Sequence, residues 1–330
     1  MNLKGVITAS QPYPDTGEIF YLVDTNYRTG AQSWSTADHT GPLDLDGERN
    51  PGRVFYTAGT GKSGNYATDT LAIQAAIDAM VDFRGDALFW TPGAYAPLAA
   101  VTVDVNDARW LGRPVRHAGA ASATITAGVA AQFTMTTAAD RMEIAHLRFV
   151  PLTASHIFLI DTGVSQQHWH HFCYDATGIA ADGATQMFLV AGTWDNTMLE
   201  DFMFITDAAQ GPLIELDGTV TGLTIRNFLH QHNAGTITLS LLDVDGAGAT
   251  GIRIGPGVGQ IGADGVVTDL VDLADLTNTN GVTIQEFTGS TGYATAGSLV
   301  TVAGTTAEAN LVNCYIATVL GGNGSTLYTA

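Results

Sequence analysis

A pattern h-x-x-h-x-h, where h is a core position, recurs along most of the chain and restricts it to repeat architectures. It reads Trp110/Arg113/Val115, Ile144/Leu147/Phe149, Trp169/Phe172/Tyr174, Leu199/Phe202/Phe204, Ile225/Phe228/His230, Ile254/Gly257/Gly259, Ile284/Phe287/Gly289 and Leu311/Cys314/Ile316. Successive first positions lie 34, 25, 30, 26, 29, 30 and 27 residues apart, the length of one turn of a β-helix. Several turns add an alternating strand that ends in glycine, as in Phe188–Gly192, Ile214–Gly218, Leu242–Gly246 and Val300–Gly304. Side chains on a strand alternate between faces, so Ile214, Leu216, Leu242 and Val244 are expected to point inward. The position two after each first core residue is Gly112, His146, His171, Asp201, Asn227, Pro256, Glu286 or Asn313. Most of these types tolerate positive φ, so the column reads as a bend.

Ahead of the repeats, Thr68–Tyr95 contains the chain's one convincing helix. Ile73, Ile77, Met80 and Val81 form a single apolar stripe, the pattern of a helix that lies on something. Asp69 and Thr70 are expected to cap its N-terminus, and Gly85 to stop it. Ala87–Trp90 reads as a buried strand ending in the Pro92-Gly93 turn. The residues Asp69, Thr70, Ala72, Ile73, Gln74, Ala76, Ile77 and Asp78, followed by Pro92, Gly93 and Tyr95, resemble the entry of the pectate-lyase-like right-handed parallel β-helices. The match covers about thirty residues. It implies an all-β fold, a right-handed parallel β-helix over Ala87–Leu320 with an N-terminal capping α-helix over Asp69–Val81. Such a cap blocks unpaired strand edges and an open apolar end. The family includes polysaccharide lyases, hydrolases and phage tailspikes that only bind, so the resemblance leaves activity open.

The chain of 330 residues, 45% hydrophobic and 14% charged, is long enough for one elongated core. No apolar run reaches the roughly 18 residues of a membrane span. Met1-Asn2-Leu3-Lys4 is not followed by an apolar segment, so no secretory signal is visible and synthesis in a cytoplasm is expected. A net charge of −19 opposes nucleic acid and anionic membranes as partners, and polyanionic glycans unless a cation mediates. Residues 1–60, rich in turn formers and aromatics, read either as an arm or virion-attachment segment or as an irregular first turn of the same domain. Residues 61–98 hold the helix and first strand, 99–321 the β-helix and 322–330 a tail.

Gly59-Thr60-Gly61-Lys62-Ser63-Gly64 has the letters of G-x-G-x-x-G and of the end of a P-loop. Both fail on context, since the P-loop's first glycine falls at Tyr56 and no second βα unit follows. His168 and His170 have the spacing of two ligands on a strand face, but no third and fourth ligand is seen at matching height. The bend column explains His171 and Asp201 without a metal, and His230 with His232 is likewise a lone pair. Cys173 and Cys314 read as buried hydrophobes. They lie five coil steps apart, about 24 Å at about 4.8 Å per step, too far for a disulfide.

The outward acids are less ordinary. With coils in register, Glu215 and Asp217 lie beside Asp243 and Asp245, with Asp272 one turn on and Asp161 two turns before. Like charges directly opposite destabilise a sheet. The column reads as a solvated face, as a cation or glycan contact, or as the paired carboxylates of a glycosidase. Glu215, Asp217, Asp243 and Asp245 are the catalytic candidates, Asp217, Asp245 and Asp272 the metal candidates. Trp194, with Asp195, Glu215 and Asp243, is the candidate glycan contact, against an ordinary turn aromatic. No cofactor is expected to be required, and Ca²⁺ is the candidate ion. Neighbouring carboxylates oppose each other's ionisation, so Ca²⁺ or mild acid is expected to raise the melting temperature and Asp243→Asn to stabilise.

The resemblance implies a homotrimeric spike of a phage or phage-like virion. Its N-terminal segment would dock on a capsid or tail protein and its β-helix would bind cell-surface polysaccharide. The alternatives are a polysaccharide hydrolase or lyase and a purely structural decoration protein.

Overall fold

In the computed structural model the described residues are 18–23, 53–56, 66–113 and 123–290, apart from 153, 181–182, 208–209, 245–247 and 274–281, then 300–302, 309–312, 315–316 and 328–329. They form a parallel β-solenoid. Three ladders run its length. The first stacks Ala87–Trp90, Arg109–Leu111, Glu143–Ala145, His168–His170 and the start of Met198–Thr206, and continues to Ala309–Val312. The second begins at Gly93–Tyr95 and Ala123–Thr126, the third at Val101–Val103 and Ala131–Met135. A smaller sheet stacks Val164–Ser165, Thr193–Asp195, Thr219–Thr221 and Gly248–Thr250. Each repeat cannot bury its apolar face alone, and stacking the repeats makes one continuous core.

The core follows the alternation read from sequence. Ile214 and Leu242 are fully buried, Leu216 and Val244 nearly so, and so are the first core positions from Trp110 to Ile284. Aromatic rings continue from turn to turn, with Trp110–Phe133, Phe133–Phe158 and Phe158–Phe188 centroids 5.3, 5.1 and 5.6 Å apart. Phe202, Phe228, Gly257 and Phe287 share one register column. At Gly257 a Cβ would meet the Phe228 ring at 2.3 Å, and the gap brings Phe228 to 6.0 Å from Phe287.

The single described helix, α1, spans Asp69–Asp78 and buries Ala72, Ile73, Ala76 and Ile77. It is shorter than the expected Asp69–Val81. Met80 still packs inward, whereas Val81 is exposed and its N–H is held by the buried Asp86. The N-cap is Thr68, whose hydroxyl accepts from the Leu71 N–H at 3.2 Å. Asp69 and Thr70 instead reach across to the first full turn. Asp69 accepts from the Ala96 N–H at 2.7 Å, Thr70 from the Leu98 and Ala99 N–H groups at 2.9 and 3.1 Å. The Gln74 amide both accepts from the Thr102 N–H and donates to the Thr102 carbonyl, as a neighbouring strand would. Gly85 does not stop the helix; it sits at φ 74 in the turn beyond it.

Ile19–Val23 pairs with Ala87–Trp90 and with Arg53–Tyr56, so both strands extend the first ladder. At the other end Tyr328–Thr329 pairs with Val300–Thr301, within the stretch read as a tail. The Gly59–Gly64 motif, Asp245 and Cys314 lie outside the described residues. Cys173 is a free buried thiol, its pKa pushed up to about 12 by burial. Among the described residues no helix is long and apolar enough to cross a membrane.

Candidate functional site

The first ladder is a narrow strip bounded by two bends, and both bends project side chains outward. The expected bend column is present, with φ of 60° at His146, 53° at His171, 52° at Asp201, 53° at Asn227 and 52° at Glu286. Sequence reasoning missed the other one. Asp107, Arg141, Gln166 and Asn196 have φ of 58°, 53°, 57° and 49°, and Gly222 and Gly251 continue the column at 73° and 68°. Each lies three residues before the first core residue of its turn, so the full repeat is bend-x-x-h-x-bend-h-x-h. That constant offset was the available signal. Left-handed backbone is costly for most side chains, and its repetition at Arg141, Gln166, His146 and His171 holds polar groups outward on a rigid frame.

Between the bends, outward positions stack as Arg109, Glu143 and His168 in one column and as Ala145, His170, Glu200 and Arg226 in the next. The columns are cross-linked diagonally. His168 Nε2 lies 2.6 Å from Glu200 Oε1, and Glu200 Oε2 accepts from Arg226 Nε at 2.6 Å. Burial works against the charged Glu200, but its hydrogen bonds from Arg226 and His168 outweigh it and hold the carboxyl below its usual range. His170 Nε2 lies 3.0 Å from Glu143 Oε1, and this hydrogen bond, ahead of any other influence, lowers the Glu143 pKa.

Beside this strip, His146, His170 and His171 come together, one nitrogen of each lying within 4.8 Å of the others. His170 Nδ1 and His171 Nδ1 are 2.8 Å apart, and His171 Nε2 lies 3.9 Å from Asp201. Burial, then the His171 and His170 imidazoles, push His146 down to about 4, so it is neutral at ordinary pH. The histidine run, expected to have no third nitrogen at matching height, does have one beside it: His146, from the preceding turn, lies next to His170 and His171, while His168 turns to Glu200. His146 and His171 already share a bend column 25 residues apart, which was the signal.

On the other side of the strip lies a cleft of about 440 Å³, lined by Phe83, Arg84, Asp107, Arg109, Arg141, Glu143, Gln166 and His168 among others. Phe83 is 66% exposed, and the Arg141 guanidinium lies 5.1 Å from its ring centroid while pairing with Asp107 at 2.6 and 3.0 Å. Arg84 pairs with the buried Asp86.

The remaining expected site residues lie elsewhere. Glu215, Asp243 and Asp272 do stack in register on the third ladder, half-buried, preceded by Leu189 and followed by Thr301. Asp217 and Asp161 are exposed beyond the ends of their strands. Trp194 cannot stack on a sugar. It is fully buried in the small sheet, 5.1 Å from Phe188, and its Nε1–H donates to Gln167 at 3.0 Å. Asp195, next to it, is half-buried. His230 and His232 are fully buried and joined through Thr206, at 2.9 and 2.8 Å from its hydroxyl. His232 Nε2 donates to the Gly235 carbonyl, so its Nδ1 accepts the Thr206 hydroxyl, which in turn accepts from His230 Nε2. They are a satisfied core pair.

No protein-family model matches this chain, and no curated protein is similar enough to count as a relative.

Proposed function

We propose that the chain is a binding spike of a phage or phage-like particle. In this reading it is a right-handed, pectate-lyase-like solenoid closed at one end by α1, trimeric, held to the particle by its N-terminal segment and engaging cell-surface polysaccharide with the solenoid. One observation carries the choice of surface. In a chain with 13 lysines and arginines against 32 acids, Arg84, Arg109 and Arg141 converge on one cleft beside an exposed aromatic ring. An aromatic face that packs on the C–H side of a sugar, with planar guanidinium groups and carboxylates for its hydroxyls, is the mixture that glycan recognition needs. The third-ladder acids lack that mixture, and Trp194 is inside.

Binding is favoured over cleavage because the cleft's acids are engaged. Asp107 is held by Arg141 and Glu143 by His170. Removing a glycan chain needs two carboxyl groups free to act as acid and as base or nucleophile.

The test is a glycan array with the wild-type chain, Phe83→Asn and Arg141→Asn, followed by product analysis of any retained glycan. Asparagine tolerates the positive φ at both positions, so the backbone is kept. The expected result is retention by the wild type, loss in both variants and no product. Retention unchanged in both variants, or no glycan retained, overturns the reading, and cleavage moves it to a hydrolase or lyase. Light scattering that gives a stable monomer of 34.5 kDa at micromolar concentration would remove the trimer.

A further inference from the structure

We propose that His146, His170 and His171 bind one divalent transition-metal ion of the zinc class, joining two successive turns and leaving one coordination position open to solvent.

Geometry carries the proposal. Three imidazoles from two turns converge within 4.8 Å. Tetrahedral zinc with nitrogen at about 2.0–2.1 Å sets its ligands about 3.3 Å apart, a change that side-chain torsions can supply. Two of the three histidines, His146 and His171, stand on left-handed backbone and the third, His170, on a strand, so the cluster is not free to disperse. The pair of Nδ1 atoms 2.8 Å apart shares at most one proton while both rings are neutral. A metal ion between them would replace that proton contact with two ligand bonds.

The outer partners also fit. Glu143 accepts from His170 Nε2, which fixes the tautomer that frees His170 Nδ1 as a lone pair. His171 Nε2 faces Asp201, so a shift of the His171 proton from Nδ1 to Nε2 frees its Nδ1 without releasing a proton to solvent. Carboxylates behind ligating histidines raise their basicity and orient the rings. The donor set is all nitrogen, which suits zinc, nickel, cobalt or copper and not calcium or magnesium. His171 is exposed, so the fourth position opens to water or to a ligand from outside. The proposal does not depend on the glycan reading.

The experiment titrates the full chain with Zn²⁺ by calorimetry and with Co²⁺ by visible absorption, alongside melting curves with and without metal. The variants are His146→Asn, His171→Asn, His170→Gln and, as a control outside the cluster, His168→Gln. Asparagine occupies the same bend in a later turn at Asn227, so the two bend variants keep a backbone that the fold already uses. One equivalent of metal is expected, with the Co²⁺ bands of a four-coordinate site and a higher melting temperature. Each ligand variant should lose these, His168→Gln should keep them, and excess Ca²⁺ should not displace the Co²⁺. Glu143→Gln, a positioning change, should weaken binding about tenfold or more without abolishing it. No saturable Zn²⁺ or Co²⁺ binding by a folded wild-type chain overturns the site. So does binding that survives His146→Asn with His171→Asn, or that is lost in His168→Gln alone.

Discussion

At the scale of single residues, one buried amide has a role that nothing in its sequence neighbourhood marks. Gln167 is 1% exposed, and its Oε1 accepts from two indoles, Trp169 at 3.1 Å and Trp194 at 3.0 Å, while its Nε2 donates to the Ala139 carbonyl at 3.0 Å. One amide thus satisfies polar groups from two turns. Replacing it with leucine keeps the volume and leaves two buried N–H groups without an acceptor. Each such loss costs about 1–3 kcal/mol, so Gln167→Leu is expected to destabilise by at least about 2 kcal/mol. Denaturant unfolding checks it, and a variant within 0.5 kcal/mol of wild type would mean that the indoles find other acceptors. Trp194 shows the same point from the other side, because a turn aromatic beside Asp195 and Asn196 reads as exposed until its partner from another turn is seen.

At the scale of elements, the entry motif gains a physical explanation. Asp69, Thr70 and Gln74, three of the residues that carry the resemblance, each occupy a hydrogen-bonding group on the edge of the first turn. The helix stripe was legible because burial follows its period, but the exposed Val81 was not, since Asp86 draws the backbone out of the helix at that point. Within the ladders, Gly257→Ala is expected to destabilise by about 1–3 kcal/mol, the usual cost of overpacking a core, because the added methyl collides with the Phe228 ring. Thermal unfolding measures it. An unchanged melting temperature would show that Phe228 can move away from Phe287. The acid column makes a prediction of opposite sign. Glu215, Asp243 and Asp272 lie opposite one another in the observed register, and like charges so placed oppose pairing by a few tenths to about 1 kcal/mol. Asp243→Asn is expected to raise the melting temperature, and a lower value at pH 7 would mean that the Asp243 carboxylate is held by attractive contacts.

At the scale of the whole molecule, stability against acid follows from the interior histidines. Burial lowers the pKa of His156, and burial followed by the neighbouring His232 imidazole lowers that of His230 well below 6.5. The unfolded chain takes up protons near 6.5 and the folded chain does not, so this contribution is complete above about pH 6.5 and is lost as pH falls towards the folded values. Asp175 acts at lower pH. Burial raises its pKa, but hydrogen bonds from Thr177 and Arg148 outweigh burial and lower it, so its contribution is lost as pH falls through the acid range. Mild acid is therefore expected to lower the melting temperature between pH 7 and 5.5, against the expectation drawn from the acid column alone. Relief of the net charge of −19 works the other way, but exposed charges are screened beyond about 8 Å at physiological salt, whereas His230 is fully buried. A melting temperature that rises through that window would show that surface repulsion dominates.

The chain by itself determined the period, the inward alternation at Ile214, Leu216, Leu242 and Val244, the stacking of Glu215, Asp243 and Asp272, and one of the two bend columns. These are local or periodic properties, because side-chain parity and coil length are written in consecutive residues. Only the tertiary structure decided which side chains meet across turns. Coil lengths vary between turns, so from Ala87 onward paired residues of stacked turns lie from 22 to 34 apart, as Ala87 to Arg109 and Arg109 to Glu143 do. His146 beside His170 and His171, Trp194 on Gln167 and Phe83 beneath Arg141 all depend on that stacking. A contact between turns is fixed by the whole stack of strands that sets its register, and no single stretch of sequence contains that information.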